Sequence, residues 1–214
     1  MSHTLNSLNS QSSADATFTI NINSIKINQT IDIVGDHLQN PWILSILNEI
    51  NDLEASSADA SSSSPSLRVE LSLSKHFGRD SEISGIPEYF IVQGNAEINY
   101  WSSCIRCLDP VSRQLYIDIN ACFVHQQLQN KPEYQEETIA FIENQERELY
   151  FINDNLIDIK EFLHEQIRLS IDDFPLHSDE CKGLCQVCGE NLNHKCCSHH
   201  QANHHQTTVG PEVS

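Results

Sequence analysis

Cysteine spacing constrains this 214-residue chain more than any other feature. The eight cysteines fall mainly into two groups: one holds the pair Cys104-x-x-Cys107, the other surrounds Cys185-x-x-Cys188, and none precedes residue 104. Evenly spaced cysteines in a short secreted chain would suggest disulfides. The first residues, MSHTLNSLNSQSSADATFTI, have neither the basic start nor the apolar segment of a secretory signal. The clustered two-residue spacing therefore predicts metal binding.

The carboxyl-terminal group has the pattern of a zinc knuckle. Cys185 and Cys188 are followed by a glycine, which can adopt a positive φ at little cost, so both thiolates can hold one tetrahedral ion. Cys197 and His199 follow closely enough to fold back as the remaining two ligands. Cys196 is an alternative to Cys197 by its offset alone.

The first pair needs two further ligands from a distant part of the chain. Cys104 and Cys107 have no other ligand nearby, because Cys122 lies in a predicted strand and is expected to be a buried thiol. His177 and Cys181, just beyond a predicted helix, are the natural complement. The resulting metal would fix the end of that helix to the tip of a hairpin.

The ligand set predicts structural zinc, as one or two ions. Soft and plentiful ligands favour closed four-ligand sites, whereas catalytic zinc keeps a position open for water. A single ion shared by the two C-x-x-C pairs is an alternative to two sites. A redox couple is a further alternative, but it requires C-x-x-C at a helix start after a strand, which neither pair has. No phosphate loop, dinucleotide fingerprint, G-x-S-x-G or H-E-x-x-H is present, so no enzyme, catalytic residue or small-molecule substrate is predicted.

Apolar alternation predicts an α+β fold made mainly of antiparallel β-sheet, with two or three helices and a carboxyl-terminal zinc-knuckle segment. Strands are expected at residues 67–73, 96–100 and 115–123, and the last two form a hairpin whose tip carries the first cysteine pair. Gly94 is expected to break or bend the strand that precedes this hairpin.

Two helices have recognisable starts. Asn40 and Pro41 suit the N-cap and first position of one helix. Asp158 followed by Glu161 forms the capping-box pattern of another, which Pro175 is expected to end.

Composition divides the rest of the chain. We expect a disordered amino terminus, one α+β domain containing a Ser-rich loop and an acidic loop, a Cys/His zinc-binding segment and a disordered His-rich tail. These regions are, in order, residues 1–15, residues 16–176 with loops at 55–66 and 129–148, residues 177–199 and residues 200–214.

Charge restricts the partners. The chain carries 30 acidic and 12 basic residues, for a formal net charge of −18, and no apolar run is long enough for a membrane helix. Binding to a phosphate backbone depends on Lys and Arg, so general nucleic-acid binding is disfavoured and a basic partner is favoured.

Three strings of this sequence resemble the YceD family: S-C-I-R-C-L, the segment I-D-I-K-E-F-L-H-E-Q-I-R-L-S leading to P-L-H, and C-K-G-L-C-Q-V-C-G-E-N-L-N. The resemblance covers roughly residues 67–199, so the α+β domain of residues 16–176 is expected to be YceD-like. It places the family's first cysteine pair at Cys104 and Cys107, and its second cluster at Cys181, Cys185 and Cys188.

Three positions depart from the family pattern. Cys197-Ser-His199 stands where the family often has C-x-C, and His177 stands where relatives carry Cys or His. Both departures keep a metal ligand. Asn155 stands where relatives tend to have glycine, which affects only the geometry of a turn.

The resemblance implies a cytoplasmic, non-enzymatic accessory factor for 23S rRNA accumulation and large ribosomal subunit biogenesis. Its partner would be a ribosomal protein or pre-ribosomal particle held by the acidic surface, with 23S rRNA as a second candidate and no membrane. One alternative is a zinc protein that binds RNA directly through Arg106, Arg113, Lys182 and Lys195. Another is a metal-dependent hydrolase.

Overall fold

The computed structural model describes residues 3–4, 17–27, 29–52, 64–78, 86–130, 139–142 and 145–199. Apolar residues at alternating positions form strands, and apolar residues at helical spacing form two α-helices. The elements are β1 (His3–Thr4), β2 (Thr19–Asn21), β3 (Thr30–Asp36), α1 (Pro41–Asp52), β4 (Ser66–Phe77), β5 (Glu88–Ser103), β6 (Pro110–His125), β7 (Ile139–Ile142), β8 (Gln145–Ile152), β9 (Leu156–Asp158) and α2 (Ile159–Ser170). Short 3₁₀ turns occupy Ile22–Ser24 and Gln126–Asn130.

Seven strands form one sheet in the order β1-β3-β4-β5-β6-β8-β7. The four strands from β3 to β6 pair antiparallel, as does β7 with β8, whereas β1 pairs with β3 and β6 with β8 in parallel. A separate antiparallel pair joins β2 to β9. The sequence-based prediction of an α+β fold with a mainly antiparallel sheet is therefore confirmed.

Both helices pack on one face of the sheet and form the main core with it. The predicted alternation in β4 and β6 is confirmed, because the residues from Leu67 to Leu73 and from Ile117 to Phe123 at alternating positions are buried in this core. No helix in the described residues is both long and apolar enough to cross a membrane.

Both α-helices begin at the residues predicted from the sequence. α1 begins at Pro41, and the carbonyl of Asn40 accepts the first helical bond from Leu44 at 3.0 Å. In α2, the Asp158 side chain accepts a hydrogen bond from the Glu161 backbone N–H at 3.0 Å. The predicted end at Pro175 is wrong.

Helix α2 ends at Ser170, with Ile171 as its C-cap. The Asp172 carboxylate accepts a hydrogen bond from the Phe174 backbone N–H at 2.9 Å. A side chain that bonds the backbone two residues ahead competes with helical hydrogen bonding, so the helix stops before the proline.

The prediction of an acidic loop at residues 129–148 is partly wrong, because β7 and the first half of β8 lie within it. Ala140 and Ile142 of β7 and Leu149 of β8 are buried in a second core on the opposite face of the sheet. Arg147 interrupts the apolar alternation of β8 in the sequence, because this basic residue is only 3% exposed and occupies an inward position between acidic neighbours. Most of the Ser-rich segment, the histidine-rich tail and most of the amino terminus lie outside the described residues.

Gly94 continues its strand, so the predicted break there is wrong. β5 runs through it in regular register, with Gly94 paired to Leu71 on one side and Ile119 on the other. Its φ is +148°, and a Cβ atom built there would lie 2.1 Å from the backbone oxygen of Glu70. Glycine is thus required both by the dihedral angle and by the close approach of β4.

We expect Gly94→Ala to lower the free energy of unfolding by about 1–3 kcal/mol, the range for a residue forced into a rare backbone conformation. Urea denaturation would measure it. The control is Gly35→Ala, whose added Cβ meets only the movable side chains of Asn40 and Ile43. An equal loss in both variants would contradict the explanation.

Candidate metal centres

The hairpin between β5 and β6 ends in a tight turn that presents the first cysteine pair. Ser103 pairs with Pro110 as the last step of the ladder. Beyond it the Cys104 N–H donates to the carbonyl of Asp109 at 2.9 Å, and the Leu108 N–H donates to the carbonyl of Cys104 at 2.8 Å. Leu108 adopts a φ of 64°.

The second cysteine pair has the same backbone turn. The Cys185 N–H donates to the carbonyl of Glu190 at 2.8 Å, and the Gly189 N–H donates to the carbonyl of Cys185 at 2.8 Å. Gly189 has a φ of 72°, matching the position of Leu108 in the first turn. We call the two turns, residues 104–109 and 185–190, the first and second knuckles.

Backbone N–H groups also point at the sulfur atoms. Burial raises the pKa of Cys104, but hydrogen bonds from the backbone of His177 and Arg106 outweigh it, so the pKa lies below its ordinary value. The pKa of Cys185 is likewise lowered, by bonds from the backbone of Cys188 and Val187. Thiolates are the form that binds metal, so both turns favour the binding form of their first cysteine.

The segment after α2 lies along the hairpin and delivers the remaining ligands of the first group. The Ile105 N–H donates to the carbonyl of Pro175 at 3.0 Å, and the Arg113 guanidinium donates to the carbonyl of Leu176 at 2.7 Å. These bonds place His177 beside Cys107, with Nδ1 and Sγ 3.1 Å apart.

Cys104, Cys107, His177 and Cys181 therefore lie together, with their ligand atoms all within 4.8 Å of one another. The Sγ atoms of Cys104 and Cys181 are 3.8 Å apart. Zinc–sulfur bonds of about 2.3 Å in a tetrahedron place two sulfur atoms about 3.8 Å apart, so the Cys104–Cys181 separation is that of two thiolates on one tetrahedral ion with bonds of this length. The three cysteines are buried.

The second group contains Cys185, Cys188, Cys197 and His199, whose ligand atoms also lie within 4.8 Å of one another. It is more open to solvent, because Cys188 and His199 are exposed. Cys196, the alternative to Cys197, is exposed and outside the group. The pairs Cys104–Cys107 and Cys185–Cys188 belong to separate groups, so the geometry favours two sites over one shared site. Cys122 is buried in the second core, as predicted.

Two asparagines of the N-L-N string hold the groups in place, a role that the spacing of ligands did not predict. The Asn191 side chain donates to the Asp109 carboxylate at 2.9 Å. Asn191 directly follows the second knuckle, so this bond connects the second knuckle to the first. The Asn193 side chain accepts a hydrogen bond from the Lys182 N–H at 2.8 Å and donates to Cys181 Sγ at 3.5 Å. In the sequence both asparagines lie between Cys188 and Cys197, at the end of the third string that resembles the family.

The basic residues near the hairpin divide by environment. Arg113 is half-buried and engaged with the Leu176 carbonyl, and the Arg106 guanidinium lies 3.4 Å from the carbonyl of Cys181. Both arginines therefore support the segment that carries the ligands. Lys182 and Lys195 are exposed.

Comparisons with known proteins place the chain in a family. The family model described as "Large ribosomal RNA subunit accumulation protein YceD" matches residues 92–211, more than half of the chain and all eight grouped ligands. This chain belongs to the YceD family. An uncharacterized protein of Mycobacterium leprae (strain TN) is 22% identical over 113 residues, covering 53% of this chain and 48% of that protein. The chain thus spans about half the length of this relative, and no solved structure matches.

One departure from the YceD pattern is explained by the fold. Asn155 has a φ of 59° and Asp154 a φ of 52°, and the Leu156 N–H closes the turn by donating to the carbonyl of Asn153 at 3.0 Å. Two residues with positive φ form a type I′ hairpin turn. Asparagine tolerates this conformation better than most other non-glycine residues, so the turn closes here without a glycine.

The matching φ values give a paired prediction. Gly189→Ala should lower the free energy of unfolding by about 1–2 kcal/mol, the cost of a left-handed conformation for an L-residue. No atom lies within 4 Å of the added Cβ, so sterics do not contribute. Leu108→Gly should relieve the same strain in the first knuckle. Thermal denaturation of both variants measures the changes in stability. A higher stability of Gly189→Ala would contradict the conclusion that the two knuckles have the same backbone conformation.

Proposed function

We propose that the two groups are structural zinc sites, with Cys104, Cys107, His177 and Cys181 at one ion and Cys185, Cys188, Cys197 and His199 at the other. Three thiolates and one imidazole are a normal closed shell for zinc. Zinc is the proposed metal because the ligands are soft and because the sulfur spacing at the first group suits its bond lengths. The first ion would join the hairpin tip to the segment after α2, and the second would hold the end of residues 177–199.

We further propose that the protein is a non-enzymatic accessory factor for 23S rRNA accumulation in the assembly of the large ribosomal subunit, and that it acts by binding in the cytoplasm. The match to the YceD family model carries this proposal. Groups with four protein ligands leave no coordination position for water or substrate, which supports a binding role over the alternative of metal-dependent hydrolysis.

The proposed partner is a basic ribosomal protein or a pre-ribosomal particle. A chain with 30 acidic and 12 basic residues attracts basic surfaces and repels phosphates. Direct binding to RNA is the second candidate, and Lys182 and Lys195 favour it because both are exposed. Arg106 and Arg113 favour it less, since both contact backbone carbonyls of the ligand-bearing segment.

The zinc proposal predicts two ions per chain in native mass spectrometry. Cys181→Ser should abolish the first site and Cys188→Ser the second, each leaving one ion. Cys122→Ser and Cys196→Ser are the controls, because both cysteines lie outside the two groups. Two ions should remain in each control. Loss of an ion in the Cys196→Ser variant would show that Cys196, and not Cys197, is the ligand. A folded protein without zinc would refute the proposal.

The electrostatic proposal predicts that partner capture weakens steeply with salt. Surface attractions are screened over ~8 Å at physiological ionic strength, and over shorter distances at higher salt. Affinity purification at low and high salt, with protein and RNA identified separately, tests this. Capture that does not depend on salt would contradict the electrostatic mechanism, and capture lost on nuclease treatment would favour RNA as the partner.

A further inference from the structure

Among the described residues, one face of the sheet carries no α-helix, and its charge pattern is uneven. We define the outer sheet face as the side chains of β3 to β6 that point away from α1 and α2, between Ser66 and the second core. Three rows cross the four strands: Asp32, Ser72, Gln93 and Asn120; Val34, Glu70, Asn95 and Asp118; Asp36, Arg68, Glu97 and Tyr116. Among the described residues, both α-helices belong to the core on the other face.

Four carboxylates of this face are available to a partner: Asp32, Glu70, Glu97 and Asp118. Arg68 is the one cation in the three rows, and it lies 3.4 Å from Glu70, with both side chains at least half exposed. Within the described part of the chain, no ion pair involves the other three carboxylates. The fifth acidic residue, Asp36, is occupied by the backbone N–H groups of Leu38 and Gln39.

Amide and apolar groups complete the face. The Gln114 side chain donates to Glu97 at 2.7 Å, which fixes the position of that carboxylate. Tyr116 is 60% exposed and Val34 is 49% exposed, so each offers an apolar contact beside a carboxylate. Tyrosine is enriched at protein interfaces because it provides a large contact area with a polar end.

The dimensions of the face limit its occupant. Four strands about 4.8 Å apart and five residues of strand length cover roughly 14 by 17 Å, or about 240 Å². A standard interface buries about 800 Å² on each partner, so a folded domain would need more surface than this. A short extended segment fits the area, and the acidic side chains of the face favour a cationic one.

We infer that the outer sheet face is the binding surface for a short Lys/Arg-rich segment of a protein partner. The inference rests on the proposed function, since it assigns a place on the molecule to the basic partner proposed there. Lysine and arginine side chains of the segment pair with Glu97 and Asp118, and their aliphatic parts pack on Tyr116. RNA is excluded from this face by the repulsion between phosphates and carboxylates.

The test is the double variant Glu97→Lys/Asp118→Lys of the full chain, titrated with a fluorescent oligolysine peptide by anisotropy. Reversal replaces two attractions with two repulsions, so the dissociation constant should rise about tenfold or more. The matched control is Glu165→Lys/Asp173→Lys, which changes net charge equally with exposed residues on α2 and after it. It should change the constant less than about twofold, as expected for charges outside the interface. Equal weakening in both variants would overturn the inference, because net charge alone would then explain binding.

Crosslinking locates the peptide directly. A carbodiimide joins carboxylates to lysine amines, and mass spectrometry should find the peptide on Asp32, Glu70, Glu97 or Asp118 of the unmodified protein. Crosslinks confined to the acidic residues between 133 and 148 would overturn the inference. So would binding of a single-stranded RNA oligonucleotide that Tyr116→Ala weakens.

These measurements separate the inference from the proposed function. Affinity purification of the unmodified chain without any ribosomal protein or rRNA would refute the proposed function, whatever the peptide does. If ribosomal proteins do copurify, their loss in the Glu97→Lys/Asp118→Lys variant but not in the control supports the inference. Their retention in both variants would overturn it.

Discussion

The contact between the hairpin tip and the segment after α2 organises the functional half of this molecule. Cys104 and Cys107 close the turn between β5 and β6, whereas His177 and Cys181 arrive from a segment roughly seventy residues later in the chain, as their contacts at that separation show. Hydrogen bonds from the Ile105 backbone N–H and from the Arg113 guanidinium hold that segment to the hairpin without a metal ion. With zinc bound, the junction would gain much more, since structural zinc contributes on the order of 10 kcal/mol in zinc-finger peptides.

The two knuckles are the same device used in different surroundings. Both close with a hydrogen bond from the residue after the second cysteine to the carbonyl of the first, and both place that residue at positive φ. Both cysteines of the first knuckle are buried, whereas Cys188 of the second knuckle and His199 of its ligand group are exposed. The first group thus joins the hairpin of the domain to the segment after α2. The second group lies in the segment that the Asn191–Asp109 hydrogen bond connects to the first knuckle.

The charge of the chain restricts the class of partner, and the fold determines where on the surface that charge is presented. The acidic composition by itself argues against general binding to nucleic acid. The sheet converts part of that acidity into a surface, because antiparallel register brings Glu70, Asn95 and Asp118 into one row across three strands. The arginines near the hairpin, which sequence alone would leave available for RNA, are instead directed at backbone carbonyls.

Local patterns in the sequence determined the ligand types, the strand alternation, the Asp158 cap and the burial of Cys122, because each depends on residues within a few positions of one another. The strand β7 and the first half of β8 could not be predicted in this way. β8 pairs in parallel with β6 across a crossover, and its inward Arg147 hides the alternation, so only the assembled sheet defines that edge. The continuation of β5 through Gly94 could not be predicted for the same reason. The Glu70 carbonyl that excludes a side chain at this position belongs to the neighbouring strand β4 and not to the local sequence. The cysteine spacing alone indicated metal binding. How the two groups are positioned was decided by the tertiary structure, through the hydrogen bonds of Asn191, Asn193 and Arg113.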